Sequence, residues 1–524
     1  MTLFPGLISI FIGYRLTQVK KMLKALLNAF SITIRFIISS ITCSSNAQTG
    51  TYPVTAGLKP SDEYKVTVNA KDAFVYQSPI PASYCSFDID KPSEIVIKVN
   101  RDVKWVDVRP LSAGIKPVFK DSTIRIRLAK PQKLSVEVNG SIKMPLFLFA
   151  NSHEGDKPSK NDPNVIFFGA GKIYYPGIIE LKSNQSLYIE GGAVVVGIVK
   201  ANKAKNVKVF GRGILDGTYN SNFNDSLMKS KPTEIPKALA NTKGTYHRFL
   251  EFIDCEGVTV EDLTLHNSTS WQVVPIHCND VKIKNIKVIS DQASDDGTDI
   301  VRSKNVVIEN CFYRTKDDCI AIKANFNYPK KEGVDRVLVT GCIFWNALWG
   351  NGIEIGFELN SAEVKNIVFR NNDIIHIEAG AAISIHNAGT GHVKNIVFED
   401  IRIEDARQKL FDFAIFRSRY SEDGTDDEEE MKKLYLRGAW DGVLKVPEAE
   451  RALHSKFRGR ISDVKLKNIR IVDGLFPYSI FSGFDANHGI EGVTIENLEV
   501  QGRKITSLKD SKLYIEHASG IIIK

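Results

Sequence analysis

The chain has 524 residues, 43% apolar and 25% charged, an ordinary globular composition with ample material for a large core. Its formal charge of +8 falls to +3 once residues 1–47 are set aside, because that segment carries five cations and no acid. So small an imbalance excludes a charge-driven case for a nucleic-acid partner.

Residues 1–47 read as an export signal. Lys20, Lys21 and Lys24 precede an apolar run from Leu27 to Ile41, and Ser45-Asn46-Ala47 is a small-x-small cleavage site, with Met22 as an alternative initiator. Arg35 interrupts the run and argues against a membrane span, and Cys43 is an alternative lipid-attachment point. A secreted or periplasmic protein is expected, with six cysteines left in the mature chain and no disulfide scaffold.

Residues 48–160 show short alternating segments: YKVTVNA, SEIVIKVN, TIRIRLA, KLSVEVNG and PLFLFA. Turn clusters separate them, which predicts a small β-sandwich whose simplest role is to cap a following solenoid. From residue 161 to the end the pattern changes. A unit of apolar, any, apolar, any and then Asn, Asp or Gly begins at Val207, Val258, Val281, Val306, Val337, Ile367, Ile396, Val464 and Val493. Through the middle the spacings are 23, 25, 31, 30 and 29 residues, too short for propeller blades. Alternation closed by a turn former is a strand signal, and Asn tolerates left-handed angles. The fold class predicted is all-β: a right-handed parallel β-helix preceded by a small N-terminal β-sandwich. Cys255/Cys278 and Cys319/Cys342, each 23 apart, are expected to stack as thiols on neighbouring coils.

Two acidic clusters fall inside the repeat, Asp295-Asp296-Gly297-Thr298-Asp299 and Lys316-Asp317-Asp318-Cys319. Their separation, 21 residues from Asp296 to Asp317, is close to one coil, so three carboxylates should converge. Such a set suits acid–base cleavage of a glycosidic bond. Residues in a regular strand alternate faces, so Asp317 and Asp318 cooperate only where the backbone bends. Residues 404–460 break the pattern and carry the run Ser421 to Glu430, read as a solvated acidic loop bounding a cleft, or alternatively as a calcium site.

The stretch from His247 to Ser290, followed by SDDGTDI and DDCIAIK, resembles the polygalacturonase family of pectin-degrading glycoside hydrolases. The resemblance implies a right-handed parallel β-helix and places the family's catalytic aspartates on Asp296, Asp317 and Asp318. By that analogy Asp318 is the general acid, while Asp296 and Asp317 hold the water of an inverting hydrolysis. The sandwich ending in MPLFLFA, and the aspartate pair with a downstream Asn-Gly, are similar to the dextranase–isopullulanase family, which makes Asp317 the acid instead. The departures are as specific. Ser294-Asp295 stands where the family has Asn-Thr, Gly350-Asn351-Gly352 replaces Gly-His-Gly, and Ser384-Ile385-His386 replaces the Arg-x-Lys that holds a uronate. Losing those cations argues for a neutral glycan such as an α-glucan, or a pectic side-chain or algal sugar. Expected substrate contacts are Lys323, Trp349, Asn351, Glu354, Glu358 and His386, with Trp271 either stacking on sugar or buried and Asp299 supporting the site. No cofactor and no metal are expected, and the protein should act as a monomer on a polysaccharide or oligosaccharide. A lyase on the same fold and a non-catalytic glycan-binding solenoid are the rival readings.

Overall fold

The computed structural model describes residues 49–524 except 156, 220–247, 269, 325–331, 362, 426, 428–442 and 445. The expected export signal therefore lies outside the described residues. Among those described, no helix is long and apolar enough to cross a membrane.

From Val165–Phe168 to Ile522–Ile523 the chain coils into one ladder of 32 strands, almost all paired in parallel, which is a parallel β-helix. Alternation dictates how each coil sits. In Asn279–Lys284, Val281 and Ile283 are buried while Lys282 and Lys284 face solvent. The nine repeat starts stack in one column, with Val207 on Val258, Val258 on Val281, Val281 on Val306 and Val306 on Val337. The column continues through Ile367, Ile396 and Val464 to Val493. At the fifth position Asp262, Asn285, Asn310, Gly341, Asn371, Asp400, Asn468 and Asn497 take φ of 52° to 73°, and Gly211 takes 121°. Their amides also bond between coils, Asn285 donating to Asp262 at 2.7 Å and Asn497 to Asn468 at 2.8 Å. The residue just before each repeat start, from Asn206 to Gly492, is left-handed as well, at 52° to 71°. Each of these short strands is thus bracketed by two corners, and Asn, Asp and Gly recur there because that backbone region penalises other side chains.

Two sequence expectations are corrected by register. Cys255 and Cys278 do stack, but Cys342 stacks on Cys311, whose N–H points at its sulfur at 3.5 Å. The 23-residue spacing to Cys319 misleads because that coil is 31 residues long and Cys319 precedes a different strand. The described cysteines are all free thiols. The break at residues 404–460 is also shorter than expected, since Lys409–Ile415 is a coil strand laid on Ala381–Asn387. The excursion begins after Ile415, and Tyr478–Ser482 resumes the same face.

The N-terminal region contains the five strands expected, within sheets of six and five strands. Ile95, Ile97, Ile124, Ile126, Leu134, Val136 and Leu148 fill the space between them. The sandwich does not merely cap an end. The other face of its six-stranded sheet presents Tyr84, Phe147 and Phe149 to Ile289, Phe312, Ile343, Trp345 and Ile375 along the flank of successive coils. Phe147 meets Phe312 at 5.0 Å between centroids and Trp345 edge-on at 5.8 Å. Beside this apolar seam, Arg109 of the sandwich bonds Glu137, and reaches Glu404 at 2.7 Å and Asp473 at 3.0 Å on the β-helix.

Candidate active site

The carboxylates are placed by the ladder. Gly297 N–H donates to the Asp318 carbonyl at 2.8 Å and Cys319 N–H to that of Asn351 at 3.1 Å. Asp296, Asp318 and Asn351 therefore occupy one column, just before the strands Thr298–Val301, Ile320–Ala324 and Ile353–Leu359 begin. Asp317 joins them because the backbone bends at Lys316 and Asp317. Asp295, wholly buried, fastens that bend by accepting the N–H groups of Lys316 and Asp317 on one oxygen, both at 2.9 Å, and that of Gln292 on the other at 2.8 Å. The Asp317 carbonyl is held from the far side by Thr315 Oγ1 at 2.6 Å and Asn346 Nδ2 at 2.7 Å. Gly350, at φ +65°, lets the next coil approach, since a Cβ there would lie 2.5 Å from both Asp317 Oδ1 and Asp318 N.

One oxygen from each of Asp296, Asp317 and Asp318 lies within 4.8 Å of the others. They line an open cleft of about 220 Å³ with Arg248, Trp271, Ser294, Lys323, Gly350, Asn351, Phe357, Glu358 and Tyr420. Burial, then the proximity of Glu354 and Asp317, pushes Asp318 well above the usual carboxylate range. Asp296 is raised in the same way, by burial and then by Asp299 and Asp317. Burial also raises Asp317, against the pull of Lys323. Carboxyls this close disfavour one another's ionisation, so the cluster titrates as a unit. The spacing suits a cation, and Lys323 lines the same cleft. Burial disfavours the Lys323 ammonium, yet Glu358, Asp296, Asp299 and Asp318 outweigh it and hold its pKa well above the ordinary lysine value.

The expected substrate contacts divide. Lys323 and Glu358 line the cleft and pair with each other at 3.3 Å. Asn351 lines it too, but its bonds run inward, from N–H and Nδ2 to Asp318 Oδ1 at 2.6 and 3.3 Å. Glu354 and His386 are not at the surface of the cleft. Glu354 is fully buried, and His386 lies behind it, 3.0 Å from Glu354 and 3.2 Å from Asp412. Their strand residues face outward from the coil, but Asn351 and the bulge at Gly356–Glu358 cover them. Trp349 stands beside the cleft with the Lys316 ammonium 4.3 Å from its ring centroid. Trp271 does line the cleft, under Arg248 at 3.4 Å and Lys323 at 4.8 Å. Asp299 is fully buried 3.9 Å from Lys323, and burial pushes it up to about 7.

Sequence reasoning missed Arg248, Phe357 and Tyr420, and it missed Asp295 as the clasp of the bend. Tyr420 belongs to the excursion after Ile415, which does bound the cleft. Of the acidic run, Asp423 is tied to Arg458 and, at 2.7 Å, to His454, while Asp426 and Glu428 to Glu430 lie outside the described residues.

Residues 169–411 match the family described as Glycosyl hydrolases family 28. The chain is 32% identical over 244 residues to Polygalacturonase QRT2 of Arabidopsis thaliana, covering 46% of this chain and 50% of the relative. It is 27% identical over 268 residues to Probable endo-xylogalacturonan hydrolase A of Neosartorya fischeri, covering 46% and 60%. The chain thus spans half or somewhat more of these relatives' length. Among solved structures it is similar in fold to Dex49A from Penicillium minioluteum, with TM-score 0.58, 15% identity, and coverage of 91% of this chain and 96% of that one.

Proposed function

We propose that this chain, built around a Glycosyl hydrolases family 28 domain, hydrolyses a glycosidic bond in a polysaccharide, with Asp318 as general acid and Asp296 and Asp317 holding the attacking water. The observation that carries the reading is the convergence of three carboxyls within 4.8 Å at the floor of an open cleft. Asp318 suits the acid. Its Oδ1 accepts from Asn351, its environment favours the protonated form, and the remaining oxygen is left to protonate a leaving group.

The favoured substrate is neutral at the cleaved bond. The cleft sets Asp296, Asp317, Asp318 and Glu358 against Lys323 and Arg248, and Lys323 is already matched by Glu358 and Asp299. Ser384 and His386, at the places of the family's uronate-binding cations, are buried behind Glu354. A relative whose name specifies xylogalacturonan keeps a substituted pectic chain among the candidates.

Inversion at the anomeric carbon is the proposed course. The short oxygen spacing favours a second one, because common inverting pairs stand about 6.5–9.5 Å apart and retaining pairs about 5–5.5 Å. NMR of the first-formed anomer separates them, and a retained configuration excludes the water-holding role of Asp296 and Asp317. Export through residues 1–47 belongs to the same proposal, read by mass spectrometry as a mature protein starting at Gln48. The primary test is Asp318→Asn assayed on dextran, xylogalacturonan and polygalacturonate. Hydrolysis should fall by orders of magnitude while the fold persists, and full turnover in that variant sinks the assignment. Products absorbing in the ultraviolet from a new double bond would identify a lyase instead.

A further inference from the structure

Behind the cleft floor lies a chain of buried polar groups that hydrolysis by three aspartates does not require. Asn351 Oδ1 accepts the Ala381 N–H at 2.8 Å, which fixes the amide so that Nδ2 faces two carboxyls. Those are Asp318 Oδ1 at 3.3 Å and Glu354 Oε2 at 2.9 Å. Glu354 Oε2 also accepts from Ser384 Oγ and lies 3.0 Å from His386 Nδ1. His386 Nε2 meets Asp412 Oδ2 at 3.2 Å, and Asp412 is paired with Lys409. Asp318, Asn351, Glu354, His386 and Asp412 therefore form a continuous run across four coils, every member nine-tenths or more buried.

We propose that Glu354 is a positioning residue for the catalytic proton, acting through Asn351. This rests on the hydrolase reading of Asp318 and deepens it. One amide hydrogen of Asn351 goes to each carboxyl, and the Asn351 backbone N–H adds a second donor to Asp318 Oδ1 at 2.6 Å. Two donors make Oδ1 the carbonyl oxygen of the acid, so the proton resides on Oδ2. Were the Asn351 amide turned over, its oxygen would face two carboxyls at once; Glu354 and the Ala381 N–H together prevent that. Glu354 also sets a negative charge beside Asp318, which favours Asp318 in the protonated form. His386 supplies the counter-charge that a fully buried carboxylate needs. Burial disfavours the imidazolium, but Glu354 and Asp412 outweigh it and raise its pKa to about 10, so it is charged throughout the neutral range.

Asp318 is faced by Asp296, Asp317, Lys323 and Glu358 around the cleft and by Glu354 below it, while His386, Asp412 and Lys409 lie beyond Glu354. Of these charged groups, Glu354 alone bonds Asn351 without being part of the cleft surface. Its Oε1 has no hydrogen-bond partner among the described residues, so a glutamine amide placed there breaks no existing hydrogen bond.

The test is Glu354→Gln, with the Asp318 carboxyl followed by carbon-13 NMR of aspartate-labelled protein and assigned by its loss in Asp318→Asn. Removing the like charge should lower the Asp318 midpoint by about one pH unit. On whichever of dextran or polygalacturonate is cleaved, kcat should fall about tenfold with KM within about twofold. Glu354→Asp keeps the charge but withdraws it from Asn351 by one methylene. It should lose kcat with the Asp318 midpoint unmoved, and it decides the matter if Glu354→Gln does not fold. An unchanged midpoint in Glu354→Gln, or wild-type kcat in Glu354→Asp, overturns the inference. The NMR midpoint needs no turnover, so a failure of this inference is read separately from a fully active Asp318→Asn, which would remove Asp318 as the acid and this inference with it.

Discussion

Gly350→Ala is the sharpest test of how the cleft floor is built. The new Cβ would lie 2.5 Å from Asp317 Oδ1, 2.5 Å from Asp318 N and 2.7 Å from Asp318 Oδ1, where ordinary contact begins near 3.4 Å. Swinging the Asp317 carboxylate aside relieves only the first of these. The second contact is with backbone, and it requires the 317–318 bend or the 350 loop to retreat by roughly 0.9 Å. The left-handed φ of +65° adds about 1–2 kcal/mol for any residue with a Cβ. In a chain this long such a cost moves Tm by only about 1–2 °C, so stability is the blunt readout. Activity is the sensitive one, because a 1 Å misplacement of reacting groups costs about 10²-fold in rate. Steady-state kcat and KM beside a thermal melt measure both. Gly350→Ala turning over within threefold of wild type would refute the placement of Gly350 against the two aspartates.

Asp295→Asn tests the clasp, since an amide cannot accept the Lys316, Asp317 and Gln292 N–H groups as a carboxylate does. It should lower kcat about 10- to 100-fold with little change in KM, and equal effects on both would assign Asp295 to substrate binding instead. His386→Gln should reveal a pH-dependent stability. The raised pKa means that the contribution of His386 is fully present below about 6.5 and is lost as pH rises through about 10. Asp412, where His386 and Lys409 overcome burial and lower its pKa to about 2, contributes above about 3.9 and loses that contribution as pH falls towards 2. Urea unfolding across this range should show the wild-type advantage greatest between about pH 4 and 6.5, and a flat difference contradicts the pair. Phe147→Ala empties the seam under the sandwich and should cost about 3–5 kcal/mol in denaturant unfolding; a cost under about 1 kcal/mol would contradict the packing of the seam.

Much of this was legible because a solenoid writes its register into the sequence. Val207 to Val493 stack as the repeat demands, and the Asn at each corner is there for its backbone angle as well as its amide. The convergence of Asp296, Asp317 and Asp318 follows from the same period. What the period cannot carry is the residue count of an individual coil. For that reason the spacing pairs Cys342 with Cys319 rather than Cys311, and Lys409–Ile415 reads as insertion because the coil after it is interrupted. Nor does alternation say which outward residues meet substrate. Glu354 and His386 carry the charges expected of sugar ligands, but a bulge and an asparagine close over them. Tyr420 enters the cleft from the excursion, where no pattern constrains it, and Arg248 stands just ahead of the strand Leu250–Ile253, outside the five-residue unit that defines the repeat. Asp295 sits beside Asp296 with identical chemistry, and only the bend it fastens separates a clasp from a reactant.

The sandwich laid along the flank changes how the solenoid holds together. In a bare stack each coil touches only its neighbours, so the ends fray independently and unfolding proceeds unit by unit. Here one rigid sheet spans the coils bearing Ile289, Phe312, Ile343 and Ile375, and Arg109 extends the reach to Glu404 and Asp473. The coils that carry Asp296, Asp317, Asp318 and Asn351 belong to that splinted stretch. Opening any one of them means peeling the splint from all, so the aspartates share the cooperativity of the whole assembly.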